Sequence, residues 1–246
     1  MSEIPWRPGS PRRAIPERPS KIPLTRDQIV QAALRIVRTE GIDGVSMRRI
    51  AAEFDTGPSS LYAHVTNKDE LLQLMFDEIC ALVPIPQVEP GRWKEQIKEL
   101  SLASHRIMLD HNDLARAALA TIPTGPNAMR ISDTLLGLMV GGGVPPRIAG
   151  WALDRIFLYI TADAYELSIW RANVIAAGSD KETFLEQMST DLQAYYAELP
   201  AQTFPHLSKY ATELVSGTAN DDRFAFGLDL IVEGLDHYVT AEPAGE

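Results

Sequence analysis

The chain has a single cysteine, Cys80, so no disulfide can form within it, and a reducing cytoplasm is the expected compartment. No apolar run approaches the roughly 18 residues needed to span a bilayer. Residues 1–21 carry Arg and Pro but no apolar stretch, so they do not read as a secretory signal, and no membrane partner is expected. Aromatic residues make up only 7%. Cationic side chains are in the minority, and the formal charge is −10, which on its face argues against nucleic acid as a partner. Strand signals are missing throughout, which leaves an all-α fold. What is present is an ordinary globular balance, 45% hydrophobic and 23% charged, over 246 residues, enough for one small and one larger domain.

The charge is unevenly divided. Residues 1–26 hold Arg7, Arg12, Arg13, Arg18, Lys21 and Arg26 against Glu3 and Glu17, a net of +4. Residues 27–80 sum to −4, and residues 81–246, with 12 basic and 22 acidic side chains, sum to −10. An acidic body repels phosphate, so any nucleic acid must meet the N-terminal part. Closely spaced prolines (Pro5, Pro8, Pro11, Pro16, Pro19, Pro23) prevent regular helix over residues 1–23, which read as a flexible arm.

From residue 24 the pattern is helical. Thr25 suits an N-cap, and Ile29, Ala32, Ala33, Ile36 and Val37 form a stripe at 3.6-residue spacing that ends at Gly41. Ser46 caps a second helix with Met47, Ile50, Ala51 and Phe54 facing inward. Asp55-Thr56-Gly57-Pro58 is a tight break, Pro58 opens a third helix of two turns over about 59–65, and Thr66-Asn67 caps a fourth over 68–82. Pro84, Pro86 and Pro90-Gly91 mark a boundary between a helix-turn-helix domain (24–83) and a larger helical domain (91–240). In the latter, helices are predicted near 92–111, 113–120, 127–140, 146–176, 180–198, 203–216 and 220–240.

Helix, sharp turn, short helix is the arrangement that lays one helix in a major groove. Thr56, Ser59 and Ser60 place small hydroxyls at the N-terminal end of the short helix, where it can approach base edges. Leu61 and Val65 bury that helix and turn Tyr62 and His64 outward. Arg48, Tyr62, His64 and Lys68 suit phosphate oxygens, and the two helix N-termini add backbone donors. The same geometry also serves proteins that never touch nucleic acid, and Arg48-Arg49 also fits an ordinary solvated face. On residues alone, DNA binding is only slightly favoured over those readings.

Residues 25–80 resemble the DNA-binding domain of the TetR family. The most specific stretch is Leu61-Tyr62-Ala63-His64-Val65-Thr66-Asn67-Lys68-Asp69-Glu70-Leu71, with Ser46 to Ala51 matching the second helix. The resemblance implies a DNA-binding regulator whose contacts include Arg48, Pro58, Ser59, Ser60, Tyr62, His64 and Lys68, joined by Thr56 from the residue reading. Phe204-Pro205-His206-Leu207, the run Asp221 to Ile231, and the segment from Trp93 through Ala128 resemble the C-terminal subfamily that contains tetracycline repressor. That points first to a tetracycline-type drug, but the residues disagree. The histidine that holds drug-bound magnesium is replaced by Ala118, the asparagine that holds the drug's polar ring by Leu100, and a second histidine falls near Pro84. Thr121, Pro123 and Glu166 survive.

The expectation is therefore a homodimeric repressor on a palindromic operator, released by a small, fairly apolar effector. Leu100, Ser104, Met108, Thr121 and Glu166 are the candidate lining, and no metal or cofactor is expected. Phe224, Gly227, Leu228, Ile231, Gly234 and Leu235 are the candidate dimer contacts, because glycines seven apart on an apolar stripe let another helix come close. The alternatives are a regulator of a tetracycline-type drug, an enzyme, and a helical adaptor without DNA binding. An enzyme would need a nucleophile–base pair, a metal set or a phosphate loop. Gly141-Gly142-Gly143 lacks a following Lys-Ser/Thr and follows no strand, and Cys80 has no basic partner nearby in sequence.

Overall fold

The computed structural model describes residues 23–111, 114–119, 123–215 and 222–239. Nearly all of the proposed arm, residues 1–23, lies outside them, as does Thr121. The described residues contain eleven α-helices, three 3₁₀ turns and no strand. No helix among them is long and apolar enough to cross a membrane.

Helix α1 (Arg26–Glu40) begins with a capping box. Thr25 Oγ1 accepts from the Gln28 amide at 3.2 Å, and Gln28 Oε1 accepts from the Thr25 amide at 3.0 Å, satisfying two amides that a helix end leaves open. Its predicted stripe is buried. Helix α2 (Met47–Glu53) is capped by Ser46, and α3 (Lys68–Cys80) by Asn67, whose side chain accepts from the Glu70 amide at 2.8 Å. The break between α2 and the next turn is made by Asp55, the one non-glycine described residue with positive φ (49°), while Gly57 has an ordinary extended backbone. Asp tolerates the left-handed region better than most side chains.

The third helix differs from expectation. It is a 3₁₀ turn, Pro58–Ser60, followed by non-helical turns through His64. Its bonds mostly close three residues apart: Ser60 to Gly57 at 3.1 Å, Leu61 to Pro58 at 3.0 Å and His64 to Leu61 at 2.9 Å. Pro58 contributes no amide, and the segment must end where Thr66-Asn67 starts the next helix. Too few residues remain to propagate α-helical bonding.

The larger domain holds α4 (Trp93–Asp110), α5 (Leu114–Leu119), α6 (Pro126–Gly141), α7 (Pro146–Ala177), α8 (Lys181–Glu198), α9 (Pro205–Lys209), α10 (Ala211–Val215) and α11 (Asp222–Gly234). Two predicted helices are shorter than expected: 203–216 breaks at Tyr210 into α9 and α10, and α11 tightens after Gly234 into a 3₁₀ turn. Helices α4, α6 and α7 pack together, and α11 lies across α4 and α7. Helix α3 packs against α1 on one side and α5 and α6 on the other, so it belongs to both domains. One continuous apolar core runs from Ile29 to Leu235. Helix α8 buries none of its residues and packs mainly on α9 and α10. Gly142 ends α6 against the Trp93 ring, where a Cβ would meet indole carbons at 2.4 Å, so the glycine run serves packing and helix termination.

Candidate DNA interface and effector cavity

Leu61 and Val65 are completely buried and anchor the short turn, while Tyr62 is 53% exposed beside exposed Pro58, Ser59 and Ser60. Arg48 and Lys68 are also exposed, and Thr56 and His64 are partly covered. Six of these eight side chains belong to the break and turn over 56–64, while Arg48 is on α2 and Lys68 opens α3. Three details were not legible in the sequence. Thr56 and Ser60 share a hydroxyl–hydroxyl bond of 2.8 Å across the turn. Arg26 Nε donates to the His64 carbonyl at 3.3 Å, tying the start of α1 to the turn. Adjacent arginines have different fates: Arg49 is held by Glu40 at 2.7 Å and Glu53 at 2.5 Å, whose carboxylates raise its pKa, whereas Arg48 makes no ion pair among the described residues. Arg48 is the one available to phosphate.

In the larger domain, an apolar cavity of about 50 Å³ lies between α3, α4, α6 and α7. Its wall includes Phe76, Ile79 and Cys80 from α3, Ser104 and Met108 from α4, Ile131 and Leu135 from α6, and Phe157 from α7. Of the candidate lining residues, Ser104 and Met108 lie on this cavity wall and Leu100 and Glu166 do not. Leu100, two turns before Met108 on α4, is packed inside the core rather than at the cavity wall. Glu166 accepts from Arg223 at 2.6 Å and is held toward α11. Burial pushes the Cys80 thiol up to about 12, further raised by Asp77 and opposed by Arg130, so it stays protonated and is no nucleophile.

Two buried polar arrangements tie this region together. Asp77, on the otherwise apolar inner face of α3, accepts from the backbone amides of Asn127 and Ala128 at 2.9 Å each and from Asn127 Nδ2 at 3.0 Å. It caps α6 from another helix, where the helix dipole favours a carboxylate. Gly125 makes room for it: a Cβ there would sit 2.2 Å from the Asp77 carboxyl carbon. An acid amid Met75, Phe76, Ile79 and Cys80 was the available sequence signal. Second, His105 Nε2 bonds Asp163 Oδ2 at 2.7 Å, its ring stacks on Phe224 at 3.8 Å, and Tyr159 stacks on the same phenyl ring at 5.0 Å. His105 is thus a buried partner of α7 and α11.

The proposed dimer stripe is corrected by packing. Phe224, Leu228 and Leu235 are buried in their own chain, Ile231 is partly buried there, and Gly227 admits the Tyr159 hydroxyl, which a Cβ would meet at 2.2 Å. That stripe is the face by which α11 docks on α4 and α7. Gly234 alone of the six is open to solvent. The uncovered apolar face of α11 is Phe226 and Leu230, exposed by 63% and 62%.

Among the described residues, no three His, Cys, Asp or Glu side chains converge on a possible metal site. Ala118 and Leu100 are both buried and apolar, so no residue support for tetracycline with magnesium emerges.

A helix-turn-helix on a helical body with an apolar cavity is the architecture of a one-component transcriptional regulator. Residues 29–75 match the family described as bacterial regulatory proteins, tetR family, and residues 85–239 match the tetracyclin repressor-like C-terminal domain. The chain belongs to the TetR family and is a DNA-binding transcriptional regulator. The apo crystal structure of ActR from Streptomyces coelicolor is similar with a TM-score of 0.77 at 40% identity, covering 90% of this chain and 100% of that one. ActR in complex with actinorhodin gives 0.78 at 39% identity over 89% and 98%. The HTH-type transcriptional repressor DrrR1 of Streptomyces coeruleorubidus is 29% identical over 99% of this chain and 87% of its own length. Tetracycline repressor protein class C of Escherichia coli is 25% identical over 87% and 91%.

Proposed function

We propose that the protein is a cytoplasmic homodimeric repressor that binds a palindromic operator and is released by a small, fairly apolar effector seated between α3, α4, α6 and α7. Arg48, Thr56, Pro58, Ser59, Ser60, Tyr62, His64 and Lys68 are the proposed DNA contacts. The observation that carries this reading is the double role of α3. Its inner face supplies Phe76, Ile79 and Cys80 to the cavity, and its first residue, Lys68, lies four residues after the end of the exposed turn at His64. Pockets that take drug-sized ligands measure about 300–1,000 Å³, so the present cavity must expand to take one. The movable wall is α3, and displacing it shifts the turn on which DNA recognition depends. Ligand binding changes operator affinity only to the extent that the expanded state binds DNA less well.

A dimer follows from the size of the reading element. One turn reaches few bases, and a two-fold pair doubles the contacts. The exposed Phe226–Leu230 face of α11 is the proposed seam. ActR has been crystallised with actinorhodin, which makes that molecule the first effector to test here.

Operator titration tests the reading. The expected result is sequence-preferring binding at moderate salt, weakened by Tyr62→Ala and Lys68→Ala without loss of the dimer. Loss of the Lys68 phosphate contact from both protomers should also flatten the dependence of log K on log salt by about 2. Binding without sequence preference, or unchanged affinity in both variants, overturns it.

A further inference from the structure

A second and larger concavity lies away from the effector cavity. It is a cleft of about 590 Å³ between the DNA-binding domain, which contributes α1 and α3, and the body, which contributes the end of α4, α5 and α7. Its chemistry is unlike that of the core cavity. Arg35 and Arg38 stand one turn apart on α1, are exposed to the cleft and make no ion pair among the described residues. Across from them is Arg171 of α7, positioned by donation to the Leu109 carbonyl at 2.5 Å. The carboxylates on the walls are Glu78, which accepts from Gln31 at 2.8 Å, and Asp110. Among the described lining residues the charged side chains are these three guanidiniums and two carboxylates, and Arg35 and Arg38 are the pair that faces the cleft from one helix.

The cleft also has an apolar part. Leu82 and Ile175 line it and stand exposed by 55% and 79%. We infer that this interdomain cleft is a second small-molecule site, for an amphiphilic anion whose carboxylate, sulfonate or phosphate is held by Arg35 and Arg38 and whose apolar body lies against Leu82 and Ile175. Paired guanidiniums on one helix face can share an anion through charge-assisted hydrogen bonds. A DNA duplex cannot enter a cleft walled on both sides by protein. An occupant would bridge α1 and α7 and so hold the DNA-binding domain at its present angle to the body, a role separate from filling the core cavity.

The probe is 1-naphthoate, compared with neutral 1-naphthamide, titrated by calorimetry into the full-length protein. Naphthoate should bind more tightly than naphthamide, and Arg35→Ala/Arg38→Ala should weaken it by at least about tenfold, with an unchanged thermal midpoint because both side chains are exposed. Ser132 and Ala128 of α6 also line the core cavity; Ser132→Phe, which fills it, should leave naphthoate binding intact, and Ala128→Leu serves the same purpose if that variant does not fold. Equal affinity for the two probes, unchanged binding in the double variant, or loss of binding in the cavity-filled variant would each overturn the assignment. So would an absence of naphthoate binding at millimolar concentration.

Discussion

Removing the Asp77 carboxylate should loosen the joint between the two domains more than any other single change of similar size. In the native chain this carboxylate, on a helix shared by both domains, satisfies two first-turn amides of α6 and the Asn127 side chain at 2.9–3.0 Å. A hydrogen bond to a charged acceptor contributes about 1.5–3 kcal/mol, and an amide left buried without a partner costs about as much. The start of α6 lies beside exposed Pro126, so water recovers part of the loss once the side chain is gone. We therefore expect Asp77→Ala to destabilise by about 2–4 kcal/mol. For a chain of this length each kcal/mol shifts the thermal midpoint by about 2–4 °C, giving a fall of about 4–16 °C by calorimetry. Asp77→Asn, which keeps the volume but presents an amide donor to donors, should cost roughly half as much. Gly125→Ala forces a Cβ onto the same carboxylate, so the double variant should fall short of additivity. A midpoint within about 1 °C of wild type for Asp77→Ala, or full additivity of the pair, would refute the idea that this capping contact holds α3 to α6.

Gly227→Ala should displace Tyr159, whose hydroxyl donates to the Phe224 carbonyl at 3.1 Å, and lower stability by about 1–3 kcal/mol in denaturant titrations. Lys94 and Lys98 hold the Glu233 carboxyl down at about 2, below its ordinary 4.5, so the ion pairs between α4 and α11 contribute above pH 4.5 and fade as pH falls toward 2. The difference in thermal midpoint between wild type and Lys94→Met/Lys98→Met should accordingly be full near pH 6 and vanish in acid; a gap that persists at pH 2 would show that the lysines act through packing instead. The Cys80 thiol, pushed up to about 12 by burial, should react with a disulfide reagent at pH 8 only as fast as the cavity opens, and an effector that fills the cavity should slow that reaction further. Rapid labelling of the native protein would place the thiol in contact with solvent.

Local chemistry made much of the fold legible in the sequence. Thr25, Ser46 and Asn67 announce helix starts because short oxygen-bearing side chains reach the amides of the first turn. The stripe from Ile29 to Val37 repeats at 3.6 residues because only one face of that helix is buried. The exposure of the turn that carries the candidate DNA contacts was also legible, because Leu61 and Val65 are the large aliphatic positions there and are the ones buried. Tertiary structure decided what depended on partners distant in the chain. It turned the Phe224–Leu228 stripe inward, since an apolar face looks the same in sequence whether its own core or a second protomer covers it. It tied Arg49 to Glu40 and Glu53 and left its neighbour Arg48 without an ion pair among the described residues. It paired His105 with Asp163 and Asp77 with the start of α6 across separations of 58 and 50 residues, which no local pattern encodes. The cavities follow the same rule: a void is defined by atoms from several helices, and its position and size emerge only once those helices are packed.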